Sequence, residues 1–194
     1  MSLVLASSSI YRQQLLEKLN IPFSCQSADI DETRHPGELP ESLVDRLSYT
    51  KARTVAVMTP DSFIIGSDQV ASLDGDIITK PESHEHAVEQ LLRASGNRVV
   101  FHTGLCLYDS NTQHAQRWVE PFTVHFDALD QRRIEQYLAI EQPYDCAGSF
   151  KSEGLGITLF KRLEGDDPNT LIGLPLIKLT NMLRTWGIDP LDPD

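Results

Sequence analysis

The chain has 194 residues, of which 40% are apolar and 23% charged, as in an ordinary globular protein with a sizeable core. Its formal net charge of -11 argues against a broad polynucleotide-binding surface, which needs clustered Lys and Arg, although a small phosphate ligand held by a few cations and a metal still fits. No apolar run approaches the roughly 20 residues of a membrane span, and the N terminus lacks the basic region of a signal peptide. The three cysteines are widely spaced and form no C-x-x-C pair, which indicates a reducing cytoplasm and no zinc site.

The first third of the chain predicts two strands and two helices around a polar loop. In order, the pattern predicts a buried strand over 2–6, a helix over about 9–19, a short strand over 22–28, a loop over 29–39 and a helix over 40–58. Pro40 suits the first turn of the second helix.

The remainder predicts further strands and three more helices. In order, these are a strand from 61 that ends at Gly66, a turn, a hairpin at Asp74-Gly75, a helix capped by Ser83, paired strands over 98–109 and 117–129, a helix over 130–141, a strand over 156–166 and a helix over 175–186. Because strands and helices mix without strict alternation, the sequence predicts an α/β fold with a mixed sheet and flanking helices.

Hydroxyl and guanidinium groups cluster at the first strand-to-helix junction, in Ser7, Ser8, Ser9 and Arg12. The N terminus of a helix presents free N–H groups, which suit an anion. The same serines also suit plain helix capping. The junction alone leaves both interpretations open.

Asp68 follows an apolar run that ends at Gly66. Ligands of α/β proteins bind beyond the carboxyl ends of strands, so we expect this carboxylate at a cleft. The alternative is an aspartate that only caps a turn. Lys51 shares one helix face with Leu47 and Val55, so it either snorkels to solvent or points into a polar cleft.

Two further charged residues lie on predicted loops. Glu32, within the acidic stretch "DIDET", either helps to bind a metal through oxygen atoms or is merely solvated. Lys80 precedes Pro81, which constrains the chain there, and a surface lysine is the default interpretation.

Six short motifs follow one another along most of the chain: "LASSSIYR", "DET", "GSDQ", "TKP", "GSFKSEG" and "DPNTLIGLPL". Together they resemble the Maf family of nucleotide pyrophosphatases. The resemblance implies a single domain over 1–194, in which a mixed, twisted sheet with flanking helices forms two lobes around a central cleft. It also implies hydrolysis of a nucleoside triphosphate to the monophosphate and diphosphate, with Mg²⁺ or Mn²⁺, and suggests a homodimer.

The resemblance also assigns roles to residues. Asp68 would accept the proton of the attacking water and, with Glu32, would place the metal. The triphosphate would be held by Ser7, Arg12, Lys51 and Lys80.

This chain has Ile10-Tyr11 where many members have Pro-Arg, and Glu153 where the thymidine- and uridine-cleaving members have glutamine. With Gln69, this combination resembles the YceF branch, which is associated with 7-methyl-GTP. A carboxylate can accept both N1–H and the 2-amino group of guanine, and an aromatic ring attracts the cationic methylated purine.

Several alternatives stay open. One alternative is that Tyr11 is only a packing residue and Glu153 only a surface carboxylate. A second alternative is that the substrate is dTTP, UTP or another modified nucleotide. A third is that the protein is a non-catalytic nucleotide-binding regulator of cell division.

Overall fold

The computed structural model describes residues 1–192. The strands within this range are β1 (Ser2–Leu5), β2 (Phe23–Cys25), β3 (Ser62–Leu73), β4 (Asp76–Ile78), β5 (Arg98–Asp109), β6 (Ala115–Phe126) and β7 (Phe160–Glu164). The α-helices are α1 (Ile10–Glu17), α2 (Pro40–Met58), α3 (His84–Ala94), α4 (Gln131–Glu141), α5 (Asn169–Ile172) and α6 (Leu176–Thr185). Two short 3-10 helices, Ala147–Ser149 and Leu155–Leu159, precede β7.

The strands form one mixed sheet in the order β2-β1-β3-β5-β6-β7, and β4 also pairs with β3. β1 is parallel to β2 and β3, whereas β4 is antiparallel to β3 and β7 is antiparallel to β6. Helices connect several of the strands, so the predicted α/β class with a mixed sheet is confirmed. Within residues 1–192, no helix has the length and apolar character needed to span a bilayer.

The chain divides into two compact units. The first unit contains residues 1–69, 103–120 and the segment from Asp167 onward, and the second contains residues 70–102 and 121–166. The chain passes from one unit to the other within β3, β5 and β6. The cleft and the single domain over 1–194 stay predictions.

The first unit has a core on each face of its strands. Side chains of a strand point alternately to opposite faces, so Leu3 and Leu5 join one cluster with buried leucines of α1 and α6. Val4 and Ala6 join the other cluster, which includes Ala52 and Val55 of α2. This alternation continues along β3 and decides which helix each later residue of that strand can contact.

Glycine lets α2 lie close against the sheet. A Cβ on Gly66 of β3 would lie 2.0 Å from the backbone oxygen of Ser48, and a Cβ on Gly104 of β5 would lie 2.1 Å from that of Val44. Both obstacles are helix backbone, which cannot rotate away. The two glycines therefore set the distance between α2 and the strands.

We expect Gly66→Ala to lower the free energy of unfolding by about 1–3 kcal/mol, because α2 must shift to admit the methyl group. Urea unfolding followed by circular dichroism measures this loss. Gly37→Ala is the control: no atom lies within 4 Å of its added Cβ, and its φ of +73 makes its loss a measure of backbone strain without a steric clash. A smaller loss for Gly66→Ala than for Gly37→Ala would contradict the close approach of α2.

The second unit is built around aromatic rings and two packed helices. Phe150 makes edge contacts with Phe101, Phe126 and Phe160, at ring-centroid distances of 5.5, 5.5 and 4.9 Å. Asp130 caps α4, and the buried residues of this helix are Ile134, Tyr137 and Leu138. The predicted helix over 130–141 is thereby confirmed.

One late strand begins later than predicted, and one short helix was not predicted. The strand predicted over 156–166 begins only at Phe160, because residues up to Leu159 form a 3-10 helix. The extra helix α5 was not predicted, since a four-residue helix shows no hydrophobic periodicity.

Candidate active site

Asp68 lies inside β3, which continues to Leu73. The predicted end of the strand near Gly66 was therefore wrong, and so was the alternative of a turn-capping aspartate. β1 pairs with β3 only up to Ile65, and β4 pairs with β3 only from Ala71. Asp68 thus lies on a stretch of β3 that pairs with neither of these strands, just past the carboxyl end of β1.

Lys51 of α2 meets Asp68 because both occupy the same layer. Asp68 continues the face of β3 that carries Ile64 and Gly66, and α2 covers this face. The Nζ atom of Lys51 lies 2.6 Å from Oδ1 of Asp68. Both side chains are buried, with about a tenth of their surface exposed, so the solvent-directed alternative for Lys51 was wrong.

Glu32 approaches the same ammonium from the loop before α2. Its Oε1 atom lies 2.7 Å from Nζ of Lys51, although its side chain is 58% exposed. One buried lysine therefore joins the two carboxylates that the sequence analysis assigned to a metal. The structure brings Glu32, Lys51 and Asp68 together.

Burial raises the pKa of Asp68 above its ordinary value. The charges of Lys51 and Arg12 act in the opposite direction and offset part of this effect, while Glu32 adds to it. A carboxylate with a raised pKa is a stronger base than an ordinary aspartate. Burial and the neighbouring cations therefore act on the pKa of Asp68 in opposite directions, and burial has the larger effect.

The serines of the β1–α1 turn have separate tasks. Ser9 caps α1, accepting from the N–H of Arg12 at 3.4 Å. Ser7 is buried, and its Oγ accepts from the N–H of Ser9 at 3.1 Å and from Nη1 of Arg12 at 3.5 Å. Ser8 is exposed. Capping thus accounts for Ser9, whereas Ser7 faces the guanidinium.

Arg12 reaches across the first unit to the segment after α5. Its Nε donates to the backbone oxygen of Gly173 at 2.9 Å. Burial lowers the pKa of Arg12, against the raising effects of Asp68 and Glu32. A guanidinium remains charged after any such change, so Arg12 places a fixed cation near the two carboxylates.

Gln69 and Ser67 point to the opposite face of β3 and hold residues 169–173, here called the α5 segment. The Nε2 of Gln69 donates to the backbone oxygens of Thr170 and Leu171 at 2.7 and 3.3 Å. It also donates to Oγ1 of Thr103 at 2.9 Å. Ser67 Oγ donates to the Gly173 oxygen at 2.9 Å. These contacts join "GSDQ" to "DPNTLIGLPL".

Asp167, the first residue of the motif "DPNTLIGLPL", has a structural part that the sequence did not predict. It is 1% exposed, and its two carboxylate oxygens accept from the N–H groups of Asn169 and Ile177 at 2.8 and 2.7 Å. It thereby joins the first turns of α5 and α6. The signal was present, because an aspartate just before a helix commonly accepts from its free N–H groups.

The other predicted residues are placed as follows. Tyr11 is half-buried in the first turn of α1, beside Arg12. Lys80 and Glu153 belong to the second unit and are exposed. Glu153 accepts from the hydroxyl of Ser152 at 3.0 Å. Their parts in binding stay predictions.

The described residues contain no group of three or more His, Cys, Asp and Glu side chains able to hold a metal ion. Glu32 and Asp68 offer a pair of hard oxygen ligands instead. Mg²⁺ is typically held by one or two carboxylates together with phosphates of the substrate. The pair therefore fits a divalent metal that binds with a nucleotide.

Known proteins are similar to this chain over nearly its whole length. Proteins called 7-methyl-GTP pyrophosphatase from Colwellia psychrerythraea, Nitrosococcus oceani and Pseudomonas syringae pv. tomato are 54%, 55% and 56% identical to it. The alignments cover 96–98% of this chain and 94–97% of the relatives. A family model described as Maf-like protein matches residues 2–186. The chain therefore belongs to the Maf family.

Proposed function

We propose that this protein hydrolyses 7-methyl-GTP to 7-methyl-GMP and diphosphate. The observation that carries the proposal is the buried Lys51 that bridges Asp68 and Glu32. Such an arrangement supplies a base, a cation and carboxylate oxygens at one point. The near-full-length relatives named for this activity support the choice of substrate.

Cations and hydroxyls of the first unit would bind the triphosphate. Ser7 lies in the turn that precedes α1, and its Oγ faces the guanidinium of Arg12 in the first turn of that helix. Guanidinium groups match phosphate oxygens as two-pronged donors, and an ammonium binds them as a point charge. In the proposal, Arg12, Lys51 and Lys80 compensate the charge of the triphosphate.

Glu32 and Asp68 would hold a divalent metal, Mg²⁺ or Mn²⁺, whose hard character suits carboxylate oxygens. When bound, the metal compensates charge on the phosphates and acidifies a coordinated water. The residues themselves position the reaction, since phosphoryl transfer depends mostly on charge and alignment.

Asp68 would accept a proton from the water that attacks the α-phosphorus. A new phosphorus–oxygen bond forms to this water, and the bond between the α-phosphorus and the bridging oxygen breaks. The bridging oxygen leaves with diphosphate. The raised pKa of Asp68 supports its role as the proton acceptor.

In the proposal, Glu153 accepts the N1–H and 2-amino groups of guanine, and Tyr11 lies against the cationic base. Gln69 belongs to the same specificity set. The proposal also includes a cytoplasmic location and a homodimer, with no nucleic acid as partner.

We expect Glu153→Gln to shift the preference away from 7-methyl-GTP by about tenfold in kcat/KM relative to GTP, because the charge that attracts the methylated base is lost. Diphosphate release measures both rates. Glu164→Gln is the control, since Glu164 is an exposed glutamate of the same unit. An unchanged ratio for Glu153→Gln would exclude the base-edge contact.

The function is tested with a panel of 7-methyl-GTP, GTP, dTTP and UTP, with diphosphate release followed during titration with Mg²⁺ and Mn²⁺. We expect the highest kcat/KM with 7-methyl-GTP and no turnover without metal. A preference for dTTP or UTP would show that the proposed substrate is wrong and leave the proposed reaction unchanged. Tight binding without hydrolysis would instead favour the non-catalytic regulator.

A further inference from the structure

We infer that the α5 segment positions Arg12, and that the backbone oxygen of Gly173 is the atom through which it acts. The inference rests on the proposed function, because it assigns Arg12 to phosphate binding. Gly173 and its supporting residues are positioning residues, since they act on the substrate only through Arg12.

The Gly173 oxygen accepts two hydrogen bonds from different parts of the first unit. Nε of Arg12 and Oγ of Ser67 each donate to it at 2.9 Å. A hydrogen bond to a charged donor contributes more than one between neutral groups. The second bond, from a strand, fixes the direction in which this oxygen faces Arg12.

Only glycine suits this position. Gly173 has φ +120, a backbone conformation that L side chains rarely adopt. A Cβ there would lie 3.3 Å from Nε and 3.6 Å from Nη2 of Arg12. A side chain would therefore disturb the carbonyl direction and crowd the same guanidinium that the carbonyl holds.

The segment that carries Gly173 is anchored to the sheet. The backbone oxygen of Thr170 accepts from Nε2 of Gln69 at 2.7 Å and from Oγ1 of Thr103 at 3.0 Å. Both Thr103 and Thr170 are fully buried. Because β3 and β5 both hold this turn, the Gly173 oxygen is attached to the sheet that carries Asp68.

Fixing Nε orients the whole guanidinium, since the group is planar and rigid. Nη1 then lies 3.5 Å from Oγ of Ser7. The phosphate-binding turn and the late α5 segment therefore meet at Arg12. This explains why a motif near the end of the chain belongs with the motif at its beginning.

The test is steady-state kinetics of Gly173→Ala with 7-methyl-GTP. We expect KM to rise about tenfold with kcat nearly unchanged, because an interaction that aligns the substrate in both the ground and transition states is weakened. Gly187→Ala is the control, since Gly187 also has positive φ, +78, but no atom lies within 4 Å of its Cβ. It should lose stability and keep its KM.

A double-mutant cycle with Arg12→Ala separates positioning from general damage. We expect Gly173→Ala to raise KM in the presence of Arg12 and to add nothing in the Arg12→Ala background. An equal rise in both backgrounds, or an unchanged KM in the first, would overturn the inference. If Arg12→Ala alone leaves KM unchanged, the proposed phosphate site fails, and the inference fails with it.

Thr103→Val serves as a second variant if Gly173→Ala does not fold. It removes one of the two bonds to the backbone oxygen of Thr170, together with the bond that Thr103 Oγ1 accepts from Gln69 Nε2, and nearly keeps the side-chain volume. We expect a rise in KM of about threefold that again disappears in the Arg12→Ala background. A rise that persists without Arg12, or no rise at all, would overturn the inference.

Discussion

Asp68→Asn is expected to lower kcat at least about a hundredfold while the protein stays folded, because an amide cannot take up the proton of the attacking water. The substitution keeps the size of the side chain and an oxygen that can accept from Lys51. Diphosphate release at saturating 7-methyl-GTP measures the loss. Burial has raised the pKa of Asp68, so the wild-type group is the stronger base that this role requires.

The control for this variant is Asp74→Asn, since Asp74 is exposed in the turn that follows β3 and its positive φ of 52° suits asparagine. It should retain full activity. Near-normal turnover by a folded Asp68→Asn protein would remove Asp68 from the mechanism. Urea unfolding of both variants shows whether a lost rate comes from lost structure.

Lys51→Met is expected to lower the free energy of unfolding by about 3 kcal/mol, because removing one partner of a buried ion pair leaves the other charge uncompensated. The methionine keeps an apolar stem between Leu47 and Val55, which are also buried. The loss therefore reports on Asp68, which is 10% exposed at its side chain. Urea unfolding at neutral pH provides the measurement.

The double variant Lys51→Met with Asp68→Asn should recover most of this loss, since no buried carboxylate remains. The loss in the single variant should also shrink at acidic pH. Without Lys51 the pKa of Asp68 rises further. The single variant therefore loses stability as the pH rises through that pKa and regains it as the pH falls. Equal losses with and without Asp68 would show that the lysine matters for another reason. Lys161→Met, at an exposed lysine, is the control.

Local sequence patterns predicted the long regular elements. The helix predicted over 40–58 matches α2, and its buried face includes Leu47, Lys51 and Val55. Proline at the first position and apolar residues at helical spacing are signals that a single segment contains. What the pattern left open was the environment of Lys51, because its partner lies 17 residues away on β3.

The polar run Ser67-Asp68-Gln69 shows why the end of β3 was misplaced. Such residues favour a turn when considered locally. In the structure each finds a partner that is remote in sequence: Gly173 for Ser67, Lys51 for Asp68 and Thr170 for Gln69. Tertiary hydrogen bonds thus allow polar side chains within a strand.

The contact between Arg12 and Gly173 joins residues 161 positions apart. No local rule indicates it, because a guanidinium and a backbone oxygen carry no pairing code. The family resemblance rested partly on the motif "DPNTLIGLPL" but assigned no role to its residues. Only the three-dimensional structure connects that motif to Arg12 and Ser7.

The bridging ammonium has a consequence for the resting protein. Because one lysine already satisfies both Glu32 and Asp68, a free divalent ion must compete with a tethered cation of the protein itself. In the proposed function, a triphosphate would give Lys51 a new anionic partner and would bring the divalent ion with it. Under the proposed function, the metal would therefore enter this site together with the nucleotide and not before it.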